Sequence, residues 1–331
     1  MKAADIVIGV TIGLLLILCL GSSQVMPLIQ HPALVLAAET PDIQPSIQSV
    51  PVEDTATSVK SNVDALPVNI PNDIYFSKQW ALQKMQRWQT KSGGSEVLVA
   101  VLDTGVDQQH EDLAGKVMDS VNFTDTKTVS DRLGHGTHVA GIIAATVNNE
   151  IGIAGAAPNA RLLNVKIADD KGMVWASATA KGIIWAVDNG AKIINMSLAI
   201  PADTPALEEA VDYAWSKGAV VIAAAGNTGS SVPTYPASCS HVIAVAATDI
   251  NGALWDRSNY GDWVNAYAPG VEIYSALPGN SYGYKSGTSM ATAYVTGVAA
   301  LTYATVTDVD GDGRLNDEVA AVLKTVFAFS E

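Results

Sequence analysis

VLVAVLDTGVD, residues 97–107, decides the architecture. Residues 97–102 form a continuous apolar run that is too short for a helix and has no alternating polar face. It predicts a strand buried on both sides. The run stops on Asp103, followed by Thr104-Gly105. Outward from it, residues 162–167, 193–198, 219–225 and 242–246 predict further buried strands. Residues 176–189 and 207–217 have helical spacing and end at Gly190 and Gly218, where a helix stop is expected. Residues 289–305 predict an alanine-rich helix, and 317–327 a last one. Strands alternating with helices predict an α/β fold, three-layer α/β/α with a mainly parallel central sheet.

The chain has 331 residues, 48% of them hydrophobic, and a net charge of −14. So acidic a surface excludes nucleic acid as the main partner. Residues 6–20, IVIGVTIGLLLILCL, are apolar but shorter than the roughly 20 residues of a full span. With Lys2 before them and Ala37-Ala38 beyond, they predict that 1–38 is a signal peptide of a secreted protein. An uncleaved membrane anchor facing outside is the alternative. Residues 39–70 are acidic, contain proline and lack periodicity, and predict a linker or short pro-segment. The globular domain is expected over 71–331. Removal of Cys19 with the leader would leave Cys239 without a disulfide partner. Its place before an apolar strand predicts a buried, structural thiol.

Two other segments stand beside the first: LGHGTHVAG, 133–141, and SGTSMATAYVTG, 286–297. Singly, each has an ordinary reading. Asp103 could cap a turn. His135 and His138, three apart on one helical face, could hold a metal. Ser289 could open a helix. Together, in the order Asp, His, Ser, they resemble the subtilase family of serine endopeptidases, closest to its thermitase branch. NDIYFSKQWALQKMQ, DLAGKV, NEIGIAGAAP, DNGAKIINMSL and AVDYAWSKGAVVIAAAGN extend the resemblance from about residue 71 to 304.

The resemblance implies roles. Ser289 is the nucleophile, His135 the general base and acid, Asp103 the group that orients it, and Asn227 the oxyanion donor. Protein or peptide substrates would lie along about 170–174 and 197–200, with Ser197, Leu198, Ala199, Gly226 and Thr234 lining the cleft. Ala199-Ile200 stand where the family has two glycines. A shallow pocket for small or medium apolar side chains is expected. Ala293 replaces the family's proline four residues after the nucleophile, and restores a helical N–H toward the Ser289 carbonyl. His138 is expected to be structural, and His110 and His241 to border an exposed turn and a strand.

Structural calcium is the implied cofactor. Asp73, Asp112 and Asn149 match its side-chain ligands, with backbone oxygens from Val147, Ile151 and Ile153. Asp125 and Asp131 are candidates for a weaker site. Asp308, Asp310 and Asp312, with Gly313, resemble an EF-hand loop. Its twelfth position is Val319 where a carboxylate belongs, and Asp317 and Glu318 come too early.

Overall fold

The computed structural model describes residues 70–85 and 92–329, together with a two-residue strand, β1 (Leu34–Val35). The apolar run 6–20 and the linker expected over 39–70, all but Ile70, lie outside the described residues.

In chain order there follow α1 (Trp80–Lys84), β2 (Leu98–Asp103), β3 (Val117–Asn122), α2 (His135–Ala144), β4 (Arg161–Lys166) and β5 (Met173–Val174). Then come α3 (Ala176–Asp188), β6 (Ile193–Met196), α4 (Pro205–Ser216), β7 (Val220–Ala224), β8 (Val242–Thr248) and β9 (Ala266–Pro269). The hairpin β10 (Ile273–Leu277) and β11 (Ser281–Lys285), α5 (Thr288–Tyr303) and α6 (Asn316–Val326) complete the described chain. Seven strands form one sheet in the order β3-β4-β2-β6-β7-β8-β9, all parallel.

The strands send alternate residues to opposite faces. Val99, Val101, Ile193 and Ile222 pack with α2, α5 and α6, whereas Ala100, Leu102, Ile194 and Val221 pack with α3 and α4. Both layers are apolar, which is why the strand sequences show no polar face. Each such leucine or isoleucine contributes about 1.5–3 kcal/mol by leaving water. Helix α5 is buried along nearly its whole length, since it lies between the sheet and α2 and α6. Its Ala and Gly positions allow that close packing.

The three-layer expectation holds. The strand expected over 193–198 stops at Met196, because Ile200 leaves the sheet to exchange two backbone hydrogen bonds with Tyr235, at 2.7 and 2.8 Å. Strands β3 and β9 and the β10–β11 hairpin were not foreseen. β3 and β11 are only partly buried, and so lack a long apolar run.

Gly182 tests the closeness of α3 to the sheet. A Cβ there would stand 2.9 Å from Ile167 Cγ2 and 3.1 Å from Val165 Cγ1. Gly182→Val is expected to destabilise the domain by about 1–3 kcal/mol through overpacking. Denaturant unfolding of a Ser289→Ala parent checks it. An unmoved midpoint would mean that the helix has room to spare.

Candidate active site

From β2 the chain passes to the edge strand β3, returns through β4, and crosses β2 to form β6. Strand order therefore reverses between β2 and β6. In open α/β sheets the crevice at the carboxyl ends of such strands is where ligands bind. Asp103 is the last residue of β2, and Ser197 follows the last residue of β6.

Asp103 is buried, and its Oδ1 accepts from His135 Nδ1 at 2.7 Å and from the Thr104 N–H at 2.7 Å. His135 opens α2. Gly136 lets that helix abut the β2 loop, since a Cβ there would lie 2.0 Å from the Gly105 carbonyl oxygen and 3.1 Å from Asp103 Cβ.

Behind the pair stands Asp131, also buried. Its Oδ1 accepts from Thr104 Oγ1, Leu133 N and Gly134 N, and its Oδ2 from Thr137 N and Oγ1, all within 2.8–3.0 Å. Thr104 Oγ1 in turn accepts from Gly136 N at 3.0 Å. Asp131 was expected as a weak calcium ligand. These five donors fill its oxygens instead, so it joins the Asp103 loop to the first turn of α2.

Ser289 sits in the first turn of α5, where the backbone N–H groups fall outside the helical ladder. Its hydroxyl donates to the Ser197 carbonyl at 3.2 Å, and its own carbonyl accepts from Ser197 Oγ at 3.0 Å. Asn227 Oδ1 accepts from Thr288 N at 2.9 Å and Thr288 Oγ1 at 2.8 Å, which fixes the direction of its amide. A Cβ built on Gly287 would stand 3.1 Å from Asn227 Nδ2 and 3.7 Å from Ser289 N. Two donors thus converge on a space that exists because residue 287 is glycine. Buried Asn259 shapes the loop after Asn227: its Oδ1 accepts from Thr228 N and Oγ1 and from Ser230 N, and its Nδ2 donates to the Ala225 carbonyl. Sequence reading missed Asn259 and Thr288.

Strand β5 follows β4 after a turn at Asp169–Gly172, and β1 pairs with it. Leu34 lies opposite Val174 and Val35 opposite Met173, antiparallel. Met173 and Val174 of the expected segment 170–174 are the residues of β5. On the far side, Ser197 and Leu198 are buried and Ala199 is partly exposed. The Ala199 Cβ lies 3.5 Å from where a Cβ of Gly226 would stand. Thr234 Oγ1 donates to the Ala225 carbonyl at 2.8 Å, which ties that segment to the end of β7.

The expected calcium ligands gather around one loop. Asn148 N donates to Asp73 Oδ2 at 3.0 Å, and Asn149 Nδ2 to Asp112 Oδ1 at 2.8 Å. Asp73 Oδ1 is buried without a hydrogen-bond partner among the described residues. Asp112 has no exposed surface, and burial raises its pKa. No backbone N–H among the described residues is directed at the carbonyls of Val147, Ile151 or Ile153. An orphaned carboxylate oxygen, a desolvated carboxylate and unpaired carbonyls fit a hard cation. Tyr282, whose hydroxyl donates to Asp112 Oδ2 at 2.9 Å, joins this group unforeseen.

At the second loop Asp308, Asp310 and Asp312 place carboxylate oxygens within 4.8 Å of one another, all exposed. Asp308 accepts from Gly311 N and Gly313 N, and Asp312 pairs with Arg314. Val319 is buried in the core, but Glu318, one position early, reaches back to accept from Val309 N at 2.8 Å.

The profile of the subtilase family matches residues 94–324. Thermitase of Thermoactinomyces vulgaris is 49% identical over 235 residues, which are 70% of this chain and 84% of that protein. The thermophilic serine proteinase of Bacillus sp. strain AK1 is 47% identical over 259 residues, covering 77% of this chain and 63% of its own length. A solved protease structure from Pseudoalteromonas arctica PAMC 21717 superposes with a TM-score of 0.69 at 31% identity, covering 78% of this chain and 92% of that one.

The remaining histidines separate by burial. His241 is exposed, stacks on Trp215 and meets Asp212 at 3.1 Å. His110 is fully buried, contrary to expectation, between the Ser281 carbonyl and Asp112 N. His138 is fully buried, with Nε2 at 3.1 Å from the Ile273 carbonyl and 3.2 Å from that of Gly283. Its Nε2 is thus committed to two carbonyls, and its Nδ1 is buried without a hydrogen-bond partner among the described residues. Burial, then the charge of Lys285, lowers its pKa from 6.5 to about 3. Between those values the unfolded chain binds a proton that the folded chain refuses, so this contribution is present above pH 6.5 and is lost as pH falls toward 3. At about 1.4 kcal/mol per unit, roughly 2 kcal/mol should go between pH 7 and 5. His138→Gln in a Ser289→Ala parent is expected to flatten the pH 7-to-5 fall in unfolding free energy by about that amount. An undiminished slope would place the acid lability elsewhere.

Proposed function

The chain belongs to the subtilase family, and from that premise we propose that it is a secreted serine endopeptidase acting through an acyl-enzyme on Ser289. The observation that carries the reading is the convergence of Asn227 Nδ2 and Ser289 N beside Gly287, at the crevice where the buried Asp103–His135 pair ends. A free serine hydroxyl is a poor nucleophile at neutral pH. His135 takes the Ser289 proton as Oγ attacks the scissile carbonyl, and the resulting oxyanion turns toward the two donors. Asp103 keeps the imidazole in the tautomer with Nδ1 protonated and stabilises its cation. His135 then gives the proton to the departing amine. Water, deprotonated by the same imidazole, releases the acid and restores Ser289.

The substrate is an extended peptide added antiparallel to β5. The chain's own β1 on that edge supports this mode, in which main-chain hydrogen bonds give affinity and side-chain pockets give selectivity. Ala199 and Thr234 favour small or medium apolar residues before the cleaved bond. Secretion is supported by the apolar leader and the acidic surface. No helix among the described residues is long and apolar enough to cross a membrane.

Asp73, Asp112 and Asn149, with the carbonyls of Val147, Ile151 and Ile153, would hold calcium, which when bound cross-links segments distant in sequence. Asp308, Asp310 and Asp312, exposed and partly compensated by Arg314, would form a weaker site.

Ser289→Ala is expected to fold normally and to abolish both casein hydrolysis and the p-nitrophenol burst from an activated ester. Retention of more than a few per cent of the parent rate would remove Ser289 from the chemistry. Asn227→Ala should lower kcat by about 100–1,000-fold with little change in KM, the loss typical of one oxyanion donor. Gly287→Ala should act in the same direction by filling the space between the donors.

Excess chelator should lower the melting temperature and hasten autolysis. Metal bound to the native state alone adds about 2.7 kcal/mol at a hundredfold excess over Kd. An unchanged melting curve in chelator would rule out the calcium assignment without touching the triad.

A further inference from the structure

Lys166 is the last residue of β4 and has no exposed surface. The chemistry above does not use it. A buried ammonium is costly unless it is paired, so its partners say what it is for. It donates to the Thr104 carbonyl, one residue beyond Asp103. It also meets Asp170 Oδ1 at 3.0 Å. Asp170 is exposed and lies in the turn that leads into β5. That turn is otherwise closed on itself: Asp169 Oδ1 accepts from Lys171 N and Met173 N, and Asp169 N donates to the Met173 carbonyl.

We infer that Lys166 and Asp170 form a strut that holds the peptide-docking edge β5 in fixed register with the loop carrying Asp103. The protease reading is needed only to say that a substrate docks on that edge.

The physical basis is the position of the ammonium. It sits between a carbonyl of the Asp103 loop and a carboxylate of the β5 turn. If the turn slides, the buried charge loses its carboxylate partner. A peptide strand that pairs with β5 pulls on the turn, and the strut resists. A short substrate that never reaches β5 applies no such load. Lys166 and Asp170 are therefore positioning residues, and their effect should grow with the number of substrate residues docked on the edge.

Asp170→Asn removes the charge and keeps the shape. In otherwise unaltered enzyme, kcat/KM should be measured on a single-residue ester and on a tetrapeptide p-nitroanilide. Loss of one charge-assisted contact predicts that the tetrapeptide suffers about tenfold more than the ester, mainly through KM. Asp170→Glu, which restores the charge, should recover most of the difference. A merely structural pair would lower both substrates together, along with the melting temperature, and that outcome overturns the strut.

A second measurement does not depend on catalysis. In the full-length Ser289→Ala chain, Asp170→Asn should speed hydrogen exchange of the β5 amides while the strands of the main sheet stay protected. Unchanged exchange at β5 overturns the proposal as well. If the parent enzyme cleaves neither substrate, the protease reading falls, and the exchange at β5 alone decides the strut.

Discussion

A carboxylate shut away from water organises this molecule. Asp103 is buried at the end of a strand that is itself buried on both faces. Two donors are held against its Oδ1, the His135 ring at 2.7 Å and the Thr104 N–H at 2.7 Å, and its Oδ2 is buried without a hydrogen-bond partner among the described residues. That arrangement propagates outward. Thr104 must hold its place, so Asp131 grips its hydroxyl. Asp131 must hold the first turn of α2, so it takes Gly134 N and both donors of Thr137. The helix must come within contact of the loop, so residue 136 has no side chain. Each step is a hydrogen bond or a steric limit, and together they fix where the imidazole points.

The sheet supplies the rigidity on which this depends. Its strands are parallel, and β2 and β6 are paired side by side and buried, which sets the spacing of their carboxyl ends. Ser289 is placed by a different route, on a helix buried against the same sheet. The reciprocal contacts between Ser197 and Ser289 join the two routes. Ala293 fits this picture. The Ser289 carbonyl is already held by Ser197 Oγ, so the backbone at Ser289 is positioned from the side as well as along its own helix.

Much of this was legible in the residues. Apolar runs revealed the central strands because burial on both faces leaves few polar positions, Asn164, Lys166 and Asn195 among them. Asp103, His135, Ser289 and Asn227 were expected as a set from the family resemblance, and the fold puts Asp103 at the end of β2, His135 at the start of α2 and Ser289 in the first turn of α5. What escaped was whatever acts through geometry alone. Asp131 and Asn259 look like ordinary loop residues, and nothing in their neighbours shows that the fold aims several donors at each. Lys166 ends an apolar strand, where sequence alone suggests an exposed head group. His110 sits among charged residues, yet the β10–β11 hairpin closes over it. The edge strand β3 and the hairpin lacked the apolar signature because solvent reaches them.

The pairing of β1 with β5 matters only while residues 34–35 remain part of the chain. One edge cannot carry two strands at once, so before the expected leader over 1–38 is cut away, a peptide brought to β5 meets Leu34 and Val35 already there. Under the reading proposed above, its apparent dissociation constant in the uncut chain is the intrinsic one divided by the fraction of time that the edge is vacant. Cutting the leader removes that competitor, and the same edge is then open.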